Sequence, residues 1–379
     1  MKLGSRRTFL GATAIAVVCL LGVAMEAGQS TAAQDRAPMV DDVFKSVVLL
    51  RGIPVDTFFE AMGMFANAMG NDCTFCHVSA AYFDKAKFAE PTPRIQRARQ
   101  MIVMMNTINK TYFAGQPRVS CFTCHGGNQS PQSDPNLDLQ YGAPLENSNA
   151  RDFPSDPGIS ANQVFDKYLQ AIGGTERLAR LSSLVAKGTY EGFDTAFTKV
   201  PVEIYAKSPD QHTTIIHLDA GDSVRTYNGR NGWMAGPDTP VPLVTLTGGN
   251  LDRARLEAIL LFPAGIRQAF SQWRVGRGVL GDQEVLIVQA SEAGQPVVNL
   301  YFDDSGLLVR LVRFTQTPVG FVPTQIDYSD YRDVAGVKMP FRRKVSQTYM
   351  QMTIELSDVQ PNVPIDAARF ARPAPRPAA

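Results

Sequence analysis

Tryptophan occurs twice, histidine four times and cysteine five times in 379 residues. So little cysteine excludes a disulfide-dense miniprotein. Neither charge is in surplus: 37 Lys and Arg stand against 36 Asp and Glu, a net charge of +1. That balance argues against a nucleic-acid binder, whose affinity rests on clustered cations meeting phosphates. Long hydrophobic runs are absent after the first 25 residues, so the body of the chain is expected to be soluble. What is present is 44% hydrophobic and 19% charged, which suits packed cores and excludes wholesale disorder. The length suggests two or three units.

The first residues read as an export segment. Lys2, Arg6 and Arg7 supply the positive region, and Phe9 to Met25 is apolar or small. Thr31 and Ala33 stand where a signal peptidase reads, which makes residues 1–33 a signal peptide and starts the mature chain near Gln34. The competing reading is an uncleaved anchor in the inner membrane. Ser5-Arg6-Arg7-Thr8-Phe9-Leu10 is similar to a twin-arginine signal. Cys19 follows Ala16-Val17-Val18, a poor lipobox, and is read as one more apolar residue of the run. The expected compartment is the periplasm.

All other cysteines fall into two frames, Cys73-Thr74-Phe75-Cys76-His77 and Cys121-Phe122-Thr123-Cys124-His125. C-x-x-C-H is the attachment signature of a c-type haem: two thiols add across the porphyrin vinyl groups, and the adjoining histidine becomes the proximal iron ligand. Two motifs imply two covalent haems c, each with one iron. One zinc held by both pairs is the first rival, but 45 residues separate Cys76 from Cys121 and the histidines would be coincidental. Two short disulfides or redox pairs form the second rival, and the second motif lacks the βαβ context of a thioredoxin-like site.

A haem that only moves electrons commonly has His and Met as axial ligands. His212 and His217 lie far along the chain, so attention turns to methionine. Val55 to Met69 reads as a helix on which Phe58, Met62, Phe65 and Met69 form one stripe, and Gly70-Asn71-Asp72 turns the chain into Cys73. Met62, 11 residues before Cys73, is a candidate ligand. Arg94 to Tyr112 repeats the plan, with Ala98, Met101, Met105 and Ile108 on one face. Periodicity leaves Met101, Met104 and Met105 in competition, and core filling is the commoner use of such methionines.

Residues 40–130 resemble the tetrahaem cytochrome c subunit of photosynthetic reaction centres. The likeness is carried by Phe58-Phe59-Glu60-Ala61-Met62, by Arg99-Gln100-Met101-Ile102-Val103-Met104 continuing to Ile108-Asn109, and by Val119-Ser120 with the second motif and Gly126-Gly127. It implies electron transfer, Met62 as distal ligand of the first haem and Met101 of the second. It also implies redox protein partners, among them a membrane-bound electron-transfer complex or a photosynthetic reaction centre. This chain departs from the family in having two motifs where the family has four, and in Gly126, where a basic residue is common. Donation to a photo-oxidised chlorophyll pair is therefore not implied.

Residues 131–159 are rich in Pro, Ser and Asn and read as a linker or wrapping loop. A helix follows, with Ser160 as N-cap and Gly173-Gly174 as its stop. β-rich runs then dominate: Leu184 to Tyr190, Val202 to Ala206, His212 to Leu218, Glu284 to Gln289, Val297 to Phe302, Leu307 to Arg313, Gln325 to Tyr331 and Tyr349 to Leu356, with a helix at Leu251 to Phe262. Asn228-Gly229, Asn231-Gly232 and Asp304-Ser305-Gly306 mark hairpins.

The expected fold class is α+β. An N-terminal, mainly helical multihaem cytochrome c domain is followed, over residues 160–370, by a curved antiparallel, half-barrel-like sheet with packing helices. Residues 371–379 form a loose tail. The sheet's layout is similar to that of lipoprotein carriers, which implies an apolar ligand. His212 and His217, five apart on one strand, fall on opposite faces and make no metal pair. The leading reading is an exported dihaem electron carrier. A dihaem peroxidase, or a periplasmic lipid-binding protein with haem as redox sensor, are the competing ones.

Overall fold

The computed structural model describes residues 36–142, 149–237, 239 and 241–375. The export segment and Cys19 lie outside these residues. The described residues from Pro38 onward form one compact unit.

Eight α-helices are described: α1 (Val40–Val43), α2 (Val55–Met69), α3 (Pro93–Tyr112), α4 (Cys121–His125), α5 (Leu137–Tyr141), α6 (Ala161–Ala171), α7 (Thr175–Ala179) and α8 (Gly248–Leu261). The strands are β1 (Ser183–Gly192), β2 (Val200–Lys207), β3 (Gln211–Leu218), β4 (Gly221–Asn228), β5 (Gly232–Ala235), β6 (Val244–Thr245), β7 (Gln272–Leu280), β8 (Gln283–Ser291), β9 (Val298–Phe302), β10 (Leu308–Thr317), β11 (Gly320–Val334), β12 (Val337–Ser346) and β13 (Gln351–Pro361). The fold is α+β, as expected: helices at the N-terminal end, then a curved, unclosed antiparallel sheet.

The sheet runs β6-β5-β4-β3-β2-β1-β13-β12-β11-β10-β9-β8-β7. It is two meanders sewn together where the first strand meets the last, with Leu184 opposite Pro361 and Tyr190 opposite Ile354. Because β6 and β7 stand at opposite edges, their connection must cross a face of the sheet. That connection is α8, continued by a 3-10 segment at Pro263–Gln268. Crossing the face buries Arg253, Ala254, Leu256 and Ala258. On the same face α6 adds Val164, Phe165, Tyr168 and Leu169 to a core shared with Leu300, Phe302, Leu311 and Ile326. Ser160 caps α6 through a reciprocal capping box with Gln163, as its placement predicts.

The segment before α6 runs along the sheet. Asp156 N–H donates to the Val275 carbonyl at 2.8 Å, and Gln289 Nε2 donates to the Arg151 carbonyl at 2.7 Å.

The helical region is joined to the sheet by packing. Ala61 and Met64 of α2 and Ile102 and Met105 of α3 form one buried cluster with Val319 and Val322 at the β10–β11 hairpin. Asp56, in the first turn of α2, accepts from Thr247 N at 2.7 Å, Thr247 Oγ1 at 2.7 Å and Asn250 Nδ2 at 3.3 Å, which ties α2 to the start of α8. Burial raises the Asp56 pKa, against the lowering effect of these bonds.

Candidate haem-binding site

Each C-x-x-C-H segment is started by the residue before it. The Asp72 carboxylate accepts from Thr74 N at 2.8 Å and Thr74 Oγ1 at 2.6 Å, capping a 3-10 turn over Cys73–Phe75. Ser120 caps α4, with the Thr123 side chain returning a bond to the Ser120 N–H at 3.0 Å. These caps satisfy backbone donors that a short turn cannot pair internally. The motifs are then held from outside. Thr92 Oγ1 donates to the Cys76 carbonyl at 2.6 Å, and Arg94 donates to the Phe75 carbonyl at 2.8 Å while its guanidinium lies 4.1 Å from the Phe75 ring centroid. Buried Asn109 of α3 fixes the approach to the second motif: its Nδ2 donates to the Val119 carbonyl at 2.7 Å, and its Oδ1 accepts from Arg118 N at 3.1 Å and Val119 N at 2.9 Å.

Both motif histidines are oriented alike. His77 Nδ1 lies 3.0 Å from the Phe88 carbonyl and His125 Nδ1 lies 3.2 Å from the Asn128 carbonyl. A carbonyl can only accept, so Nδ1 carries the proton in each ring and Nε2 keeps the lone pair that a metal needs. Burial lowers the His77 pKa, favouring the neutral ring, against the raising effect of its bond to Phe88. Burial raises the thiol pKa of Cys73 and Cys76, and that of Cys121 to about 11. All four motif cysteines are free thiols. Among the described residues no three His, Cys, Asp or Glu side chains converge on a metal position.

A cavity of about 950 Å³ opens beside the first motif. Cys73, Cys76 and His77 line it together with Phe58, Met62, Phe65 and Met69 of α2 and Ile95, Ala98 and Ile102 of α3. Its size falls at the upper end of cofactor and ligand pockets. Phe44, Phe58 and Phe59 form an aromatic wall, with centroids 5.4 to 6.0 Å apart. Thiols, a free imidazole lone pair, a thioether and apolar walls around one space are the donor set a haem c requires. The same cavity reaches the sheet, where His212, Arg225, Tyr328 and Arg343 line it, and Arg253 and Glu257 of α8.

The second motif sits differently. Half-buried Cys121 packs against the buried cluster that α2 and α3 form with Val319 and Val322, Cys124 is exposed and Phe122 faces solvent. On α3, Met105 is buried in the core, Met104 is 45% exposed and Met101 is half-buried between these extremes. Met101 does not line the large cavity; Met69, one helical repeat beyond Met62, does. The carbonyls of Phe88 and Asn128 and the sheet arginines carry no sequence signal, because backbone acceptors and distant partners have none. His212 is buried with Nε2 3.2 Å from Thr214 Oγ1, and His217 pairs with Asp222 at 2.8 Å, so each has a local partner.

Each motif thus carries the two thiols and the imidazole that covalent attachment of a c-type haem uses. Residues 21–141 match the model of the family described as photosynthetic reaction centre cytochrome C subunit, which bears out the resemblance carried by the motifs. Over 92 residues the chain is 30% identical to the photosynthetic reaction center cytochrome c subunit of Roseobacter denitrificans, covering 21% of this chain and 25% of that protein. The chain thus spans a quarter of that relative's length. Among solved structures, a DUF1329 family protein from Desulfovibrio piger is 11% identical, covering 55% of this chain and 96% of that one at a TM-score of 0.39. A LolA superfamily protein from Nitrosomonas europaea is 12% identical, covering 56% and 98% at a TM-score of 0.38. Among the described residues no helix is long and apolar enough to cross a membrane.

Proposed function

We propose that the chain is an exported dihaem c-type cytochrome that relays single electrons between protein partners. The observation that carries this reading is the shared orientation of His77 and His125, each with Nδ1 on a backbone carbonyl and Nε2 free. Cys73 and Cys76 would anchor one haem c and Cys121 and Cys124 another. His77 with Met62, and His125 with Met101, would be the axial pairs. Bound there, haem c supplies reversible one-electron chemistry at iron. The protein's part is to fix the imidazoles, exclude water and occupy both axial positions. Two filled positions leave no room for substrate, which favours a carrier over a peroxidase. The functional division follows the motifs: residues 40–130 form the cytochrome region and 160–370 the sheet region. A periplasmic location, with the N-terminal segment as signal or anchor, fits partners such as a membrane-bound electron-transfer complex or a reaction centre.

Haem content tests the reading. On protein made in a host with c-type maturation, pyridine haemochrome and intact mass should give two covalent haems per chain. None, despite export, would sink the carrier. Spectra of Met62→Ala and Met101→Ala, with Met69→Ala as comparison, should each lose one haem's low-spin thioether signature for the first two variants only. Unchanged low-spin spectra in both would overturn the ligand assignment.

A further inference from the structure

The cavity beside the first motif is also bounded by the sheet, where Arg225, Arg253 and Arg343 line it together with Glu257 of α8 and buried Glu60 of α2. Arg253 of α8 is neutralised by Glu257, with Nε 2.5 Å from Oε1. Arg225 of β4 makes no hydrogen bond or close ion pair to a carboxylate among the described residues, Glu257 and Glu60 attracting it only through space; its guanidinium donates to the Met234 thioether sulfur at 3.5 Å. Arg343 of β12 lines the cavity with no ion pair among the described residues. Burial and neighbouring Arg253 pull the Arg225 pKa below the ordinary arginine value, against the raising effect of Glu257 and Glu60. Ile216, Val244, Leu246, Ile326, Val345 and Met352 add apolar surface to the same cavity.

A haem held through its vinyl groups has its two propionates on the opposite edge of the porphyrin. A porphyrin anchored at Cys73 and Cys76 therefore brings two carboxylates into a cavity whose lining includes two guanidiniums, Arg225 and Arg343, that hydrogen-bond to no carboxylate among the described residues. Resting on the proposed covalent haem at the first motif, we propose that the sheet supplies its counter-charge: Arg225 and Arg343 bind the propionates of the first haem, and the sheet is a wall of its pocket. Guanidinium forks suit carboxylates in two-point contact. The alternative cations on the helical side, Lys45, Lys85 and Arg99, already donate to backbone carbonyls at Asp41, Asp42, Pro237, Thr239 and Ser46.

A cation in a low-dielectric cavity favours the reduced iron, so its loss should lower the potential of that haem alone. The experiment is spectroelectrochemical titration of holoprotein already shown to carry two covalent haems, so that failure of attachment, which would sink the underlying reading, is seen separately. In Arg225→Gln the first haem's reduction equilibrium should shift toward the oxidised form by tenfold or more, 59 mV for one electron. The second haem should not move, and Arg225→Lys should recover most of the shift. Resonance Raman bands of propionate bending should change in the Gln variant. Arg343→Gln should act in the same direction, and decides the matter if Arg225→Gln fails to accumulate. No shift in either Gln variant, equal shifts at both haems, or a full shift from Arg99→Gln alone would overturn the proposal.

Discussion

Gly70→Ala probes how the second motif is seated on the first. Gly70 ends α2 in the left-handed region at φ 62°, donating its N–H back to Ala66 and Asn67. A Cβ there would stand 2.1 Å from the Gly127 carbonyl oxygen, where ordinary contact begins near 3.4 Å. Gly127 belongs to the turn that ends α4, and its own N–H donates to the Ala68 carbonyl at 3.0 Å. The substitution thus levers the second motif off α2. The left-handed conformation costs alanine about 1–2 kcal/mol, and the forced backbone displacement about 1–3 kcal/mol more. Gly115 isolates the first cost: it lies at φ 78° with nothing within 4 Å of an added Cβ. Urea unfolding of holoprotein, read by far-UV circular dichroism and the Soret band, should place Gly70→Ala below Gly115→Ala by about 1–3 kcal/mol. The Gly70 variant alone should perturb the second haem's spectrum. Midpoints within about 0.5 kcal/mol of each other at unchanged slope would refute the seating argument.

Glu257→Gln should destabilise the protein by about 3 kcal/mol at neutral pH, because it leaves Arg253 buried beside a neutral group. Burial pushes the Glu257 carboxyl up, but Arg253, Arg225 and His212 outweigh it and bring the pKa down from 4.5 to about 2. A lowered carboxyl pKa gives stability that is present above the unfolded value and lost as pH falls through the folded one. The gap between wild type and variant in urea midpoint should therefore be full above pH ~5 and close toward pH ~2; a gap independent of pH would count against the pair. Asn109→Ala strips three hydrogen bonds from the 118–119 backbone and should cost about 2 kcal/mol, with altered bands for the second haem only. Thermal unfolding with visible spectra checks this, and an unperturbed second haem would show that Asn109 does not position its motif.

What could be read beforehand was local. α2 begins and ends at Val55 and Met69, as its apolar stripe and the Gly-Asn-Asp turn predict. α3 starts one residue earlier than expected, at Pro93, because Thr92 caps it. Strands with clean alternation were readable, whereas β12 was not: Val337, Phe341 and Val345 face inward, but Arg342, Arg343 and Lys344 interrupt the pattern. Arg343 breaks the alternation because it faces the cavity. Gly276, under the Phe153 ring and the Pro154 carbonyl, similarly disguises β7. The joint cavity could not be foreseen, since Cys73 and Arg343 meet one space only through the order of the sheet. Spacing within a helix or strand is written in neighbouring residues; the partner across a cavity is not.

The seam between β1 and β13 also sets a clock. A chain made from its N-terminus can build β1–β6 as one meander and β7–β12 as another, but the two halves acquire a common sheet only when Gln351–Pro361 arrives. That last strand brings Met352 and Ile354 to the cavity wall. Both cysteine motifs precede it by more than two hundred residues. The order of synthesis leaves a window in which the thiols are complete and the strands that wall them in are not.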